Sequence, residues 1–134
     1  MNALFEGIYS KFTDGGDFYD NLSGRMYLNI APQGVTFPYC VFFSVSDLDD
    51  LDFVDEREEF LIQFNIFSED EDATEAGDLF EDLKTMFDDC DLTVTGWRHL
   101  YCTRSLTMPN NDFTQDTPIH GYSVEYEVLL EKAR

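Results

Sequence analysis

The sequence predicts an α+β fold: a two-layer domain with a mainly antiparallel sheet and two helices packed on one face. Three observations predict it. Apolar residues recur at helical spacing in two separated stretches. In two others they alternate with polar residues, as in strands with one buried face. The order is helix, strands, helix, strands, and the short strand-to-strand connections favour antiparallel pairing with the helices on one side. The 134 residues fit one such domain, with no internal repeat and no flexible interdomain linker.

Ala3, Leu4, Ile8 and Phe12 place an amphipathic helix over residues 2–13. Asp14-Gly15-Gly16-Asp17 ends it. Residues 18–24 read as a connection, and 25–30 as a short strand. Ala31-Pro32-Gln33-Gly34 is turn chemistry, and Pro38 restricts the lead-in to a strand over 39–46. Phe60, Ile62, Phe64 and Ile66 alternate with Leu61, Gln63 and Asn65, which predicts the next strand. Residues 47–59 are then a long acidic hairpin connection. Ser68 with Glu71, and Asp72 with Glu75, have capping-box spacing. Ala76, Leu79, Phe80, Leu83 and Phe87 carry a helix over about 71–88. Residues 92–95 and 98–106 read as strand interrupted at Gly96-Trp97, and 107–118 as a loop. Tyr122, Val124, Tyr126, Val128 and Leu130 define a last, half-exposed strand.

Charge is the strongest compositional signal. There are 28 acidic and 8 basic residues, a formal net charge of -20. Residues 47–59 hold eight acids against Arg57, and residues 69–91 hold eleven against Lys84. Acid concentrated this way makes a directed field that repels polyanions or receives a basic partner. Phosphate-based nucleic-acid binding needs basic patches, and the chain has none. An anionic membrane surface repels it for the same reason. No apolar run approaches the ~20 residues of a membrane span, and Met1-Asn2 begins no signal peptide. Thirteen Phe and seven Tyr are too much core material for a disordered acidic tail. Cys40, Cys90 and Cys102 are odd in number and lack CxxC spacing, which predicts free thiols in a reducing compartment.

No catalytic arrangement stands out, and the expectation is a protein that is not an enzyme and uses no cofactor or metal. His99 and His120 are isolated from any nucleophile motif, so an ordinary strand-end histidine outweighs an acid/base role. Gly15-Gly16 lacks the Lys-Ser/Thr of a phosphate-binding loop. Cys90, His99 and Cys102 lack zinc-ligand spacing. Asp47 and Asp49 fit the first ligand positions of a calcium loop, but Leu51 and Asp52 occupy positions where a ligand and Gly are required. Two details resist the reading of a merely solvated acidic face. Leu48, Leu51, Phe53 and Val54 punctuate the acidic segment, as anchors of an interaction loop or as residues folded back on the sheet, and Phe113 is a further candidate anchor. Asp88, Asp89 and Asp91 crowd the C-terminus of the second helix, where the macrodipole makes each unfavourable by up to about 1 kcal/mol.

Several strings occur in a distinctive order: Arg25-Met26-Tyr27, then Ile30-Ala31-Pro32-Gln33-Gly34, then Phe37-Pro38-Tyr39, then Phe64-Asn65-Ile66-Phe67-Ser68 before the second helix. In this order the chain resembles the tail-completion, or tail-terminator, proteins of long-tailed bacteriophages over most of residues 3–130. The matching residues are a turn and a strand lead-in, so they speak to scaffold more than to role. The resemblance implies a structural subunit of the virion tail or neck, assembled in the host cytoplasm. It implies a homo-oligomeric ring, a hexamer, that caps the tail tube protein and offers a head-tail joining surface to a connector or stopper protein. DNA then passes through without specific binding. The acidity is heavier than that pattern needs. An acidic lumen suits such a ring, because it prevents a duplex from sticking. Asp49, Asp50, Asp52 and Asp55 are the expected channel or axial-rim residues, with the second acidic segment docking a basic neighbour. Strands such as 39–46 or 122–130 are expected to pair between subunits and protect their open edges. The competing reading is an acidic DNA mimic that inhibits a nuclease or another DNA-binding protein.

Overall fold

The computed structural model describes residues 1–51, 56–70, 73–112 and 118–133, apart from the side chains of 48–51. Its elements are α1 (Asn2–Thr13), α2 (Asp17–Leu22), β1 (Met26–Leu28), β2 (Tyr39–Leu51), β3 (Glu56–Ser68), α3 (Thr74–Phe87), β4 (Trp97–Pro109) and β5 (His120–Lys132). The strands form one sheet in the order β1-β2-β3-β5-β4. All neighbours are antiparallel except β1 and β2. The fold is α+β, as expected.

The helical spacing of the sequence becomes the buried stripe of each helix. Leu4, Ile8 and Phe12 of α1 and Ala76, Leu79, Leu83 and Phe87 of α3 are all buried. They meet Phe60, Ile62, Phe64 and Ile66 of β3 and the even-numbered residues Val124–Leu130 of β5. Phe64 sits at the centre, 4.8 Å from the Phe87 ring and 5.7 Å from that of Tyr126. Each large side chain so buried contributes roughly 1.5–3 kcal/mol.

Several expectations change. Residues 17–22, read as a connection, form the short helix α2, whose Phe18 and Leu22 join the core. Gly16 precedes it at φ 130, a conformation that glycine supplies without strain. The acidic segment 47–59 is mostly not a loop. β2 runs on to Leu51 and β3 begins at Glu56, so most of it is laddered strand. Backbone pairing across two long strands outweighs the poor strand propensity of Asp. Residues 92–95 form no strand: Val94 makes only a bridge to Trp97 around the Gly96 turn. β4 extends through Pro109, and Asp112 bridges Ile119, so the expected 107–118 loop is shortened from both sides. β5 is flanked by β3 and β4, which removes 122–130 as a strand free to pair between subunits. Neither expected capping box closes α3. Glu71 and Asp72 lie outside the described residues, and Glu75 instead accepts the Ser68 hydroxyl at 2.7 Å.

Gly121 lies where β5 crosses closest to β3. A methyl group there would collide with the Ile66 carbonyl, and would come within 2.9 Å of the Asn110 carbonyl.

Candidate functional site

The candidate site is built from the sheet's open face and its two outer edges. All three helices cover one face. By register, the other face carries Gln63 and Asn65 of β3, Glu125 and Glu127 of β5, and Tyr101, Leu106 and Met108 of β4. No helix among the described residues covers it. Tyr101, Leu106 and Met108 are exposed large hydrophobics, and so is Val45 of β2. Glu125 and Glu127 were visible in the sequence only as the polar half of an alternating strand. The open face gives them their place.

Of the expected rim and anchor residues, Leu48, Asp49, Asp50 and Leu51 fall on β2, with backbones opposite Glu59, Glu58, Arg57 and Glu56. Asp52, Phe53, Val54, Asp55 and Phe113 lie outside the described residues. Thus the structure brings part of the predicted set onto one strand.

At the same end of the sheet, Glu131 of β5 joins three strands. It is 7 % exposed and accepts from Arg57 of β3 at 3.2 Å and from Arg98 of β4. Two guanidinium groups thus compensate one nearly buried carboxylate, which would otherwise be costly. Lys132 stands 3.7 Å from Glu56 in the same corner. Sequence reading missed this cluster because its members are far apart in the chain.

The crowded acids after α3 also find causes. Asp88 accepts the Tyr126 hydroxyl at 2.6 Å and faces Arg104 Nε at 3.2 Å. Asp89 takes a left-handed conformation, φ 52, tolerated by Asp, and its amide donates to the Cys102 carbonyl at 3.0 Å. Burial first, and then Asp88, push the Tyr126 hydroxyl well above its usual pKa.

Two further groups are chemically distinct. His99 Nδ1 accepts the Leu92 amide at 3.3 Å, so its proton sits on Nε2, which is buried without a well-aligned acceptor among the described residues. Burial lowers its pKa against the opposing effects of the Tyr101 backbone and Asp91. Cys90 and Cys102 are neighbouring free thiols. The Cys102 thiol lowers the Cys90 pKa by hydrogen bonding, and Lys11 adds to this against the cost of burial. The Cys102 pKa is driven up, first by the same hydrogen bond and then by burial. Cys40 is fully buried, and that burial raises its pKa. A separate groove of about 880 Å³ lies between α1 and the turn after β1, lined by Phe5, Tyr9, Leu28, Ile30 and Pro32. Its walls are mainly apolar, and it contains neither histidine nor cysteine.

No protein-family model matches the chain, and no curated protein matches it in sequence. Its fold, however, is similar to that of a chain from the virion of a native gene transfer agent particle. The TM-score is 0.79 at 9 % identity, over 94 % of this chain and 92 % of that one. At that identity the likeness is one of fold.

Proposed function

We propose that this protein is a non-enzymatic structural component of a phage-like virion. In this reading it forms a ring, a hexamer, that caps the tail tube and presents the head-tail joining surface. The observation that carries the reading is the near full-length fold likeness to a virion chain. The strings shared with tail-completion proteins point the same way. The open sheet face, with Glu125 and Glu127 at its middle, suits a wall past which a polyanion slides. The acidic β2–β3 hairpin suits an axial rim or a dock for a basic connector or tube protein. No cofactor, metal or membrane enters this role.

The test is imaging of particles produced without this protein. Tails of uncontrolled length, or filled heads unjoined to tails, are expected. Particles of normal length and normal joining would overturn the role. A strictly monomeric protein that blocks cleavage of DNA by a nuclease would transfer the assignment to DNA mimicry.

A further inference from the structure

The sheet has two outer edges, and they differ in charge. β1 pairs with β2 only from Cys40 to Phe42, so among the described residues the outer side of β2 has no strand partner from Phe43 to Leu51. That stretch opens the acidic segment, and Asp47 on it is exposed. β4 is the other edge, thirteen residues from Trp97 to Pro109. It lies in the acid-free run 92–111, which carries Arg98, His99 and Arg104 in a chain of 28 acids. Arg98 keeps 66 % of its side chain exposed and Arg104 keeps 36 %.

Strand direction adds a geometric match. β2 and β4 run oppositely within the sheet, because three antiparallel steps separate them. A second copy, related by rotation about an axis roughly along the strands, would set its β2 antiparallel to the first copy's β4. The free part of β2 would then lie beside the N-terminal half of β4, where both arginines are. The short β1 would fall beyond that contact. Val45 and Tyr101, exposed near the middle of the two stretches, would supply apolar contact. Bulges near Ser44–Ser46 in β2, and at His99–Tyr101 and Arg104–Leu106 in β4, restrict such edges to a matching partner.

We infer that β4 of one copy pairs antiparallel with residues 43–51 of β2 in the next copy, so that the sheet continues from subunit to subunit. The contact is heterologous: each copy uses a different edge on each side, which closes into a ring when the rotation closes. This inference rests on the ring reading and names its interface.

The experiment uses the full chain in three forms: wild type, an acid-edge variant Arg98→Glu/Thr103→Glu, and a base-edge variant Ser46→Lys/Asp47→Lys. Assembly is followed by sedimentation velocity and negative-stain imaging, and folding of each form by thermal melting. Wild type is expected to assemble, less so as salt rises. Each variant alone carries two like-charged edges and is expected to need at least about tenfold more protein to assemble. An equal mixture restores opposite edges and is expected to assemble as wild type does, which misfolded variants could not do. Folded single variants that assemble normally, or a mixture that stays apart, would overturn the contact. If wild type still forms closed rings in that case, the ring stands on another interface. A wild-type chain that stays monomeric at its highest soluble concentration would overturn the contact, and the role is then judged by particle imaging.

Discussion

Tyr126 donates its hydroxyl to Asp88 Oδ1 at 2.6 Å, fastening the C-terminal end of α3 to the middle of β5. The bond gives a reason for an acid at a helix end where the backbone dipole disfavours one. Tyr126→Phe leaves the ring packing intact and removes the donor, so chemical denaturation should show a loss of about 1–2 kcal/mol. Arg104→Gln, at an exposed pair, should cost no more than about 1 kcal/mol. Equal losses would mean that the hydroxyl carries nothing special. The raised Tyr126 pKa has a sign as well. Below the ordinary tyrosine value of 10.0 the site's stability is fully present. Above it the unfolded chain ionises first, so stability is lost as pH rises, and Tyr126→Phe should lessen that alkaline loss.

Glu131 is the second anchor. Glu131→Gln keeps the shape but strands two arginines that share one carboxylate. Both arginines reach solvent and can be rehydrated, so the expected cost is about 1–3 kcal/mol rather than that of a fully buried broken pair. Thermal melts of Glu131→Gln and of Arg57→Gln check it; no change in either would show that the cluster is ornamental to stability.

His99 predicts a pH dependence at the acid side. Its pKa in the fold lies below 6.5, so the unfolded chain takes up a proton first. Its stability is complete above about pH 6.5 and falls as pH drops toward the folded value. His99→Asn offers an acceptor to the Leu92 amide and has nothing to protonate. The melting temperature of wild type minus that of the variant should therefore decline between pH 7 and pH 5. A constant difference would rule out a buried neutral imidazole.

The three thiols should react in order. Cys90 has a lowered pKa and partial exposure, while Cys40 and Cys102 are buried with raised values. Brief alkylation of the native protein should add one label, at Cys90, located by peptide mass analysis. A Cys90→Ser variant should then stay unlabelled until it is unfolded.

The parts of the fold that were legible are those in which one face is buried and the pattern is local. α1 spans residues 2–13 as its spacing indicates, and Phe60–Ile66 gave β3 its faces. The acidic halves of β2 and β3 were read as loop because propensity counts Asp against a strand, whereas the partner strand supplies the ladder. The parallel β1 rests on three residues held by the Arg25 guanidinium, which donates to the Pro38 and Phe37 carbonyls at 2.9 and 3.3 Å. Nothing local encodes that pairing. The acid-free run 92–111 was plain in the sequence, but its meaning needed the sheet order that puts β4 at an edge.

Gly121 bears on how the long central strands find one alignment. Sliding β5 along β3 by two positions would preserve inside and outside, so the alternating pattern alone does not forbid it. Such a slide would bring Ile119 or Ser123 under the Ile66 carbonyl, where there is room for a hydrogen atom and nothing larger. The one residue lacking a side chain thereby works as an index mark, and a chain zipped two residues out of step would jam before its far end could close.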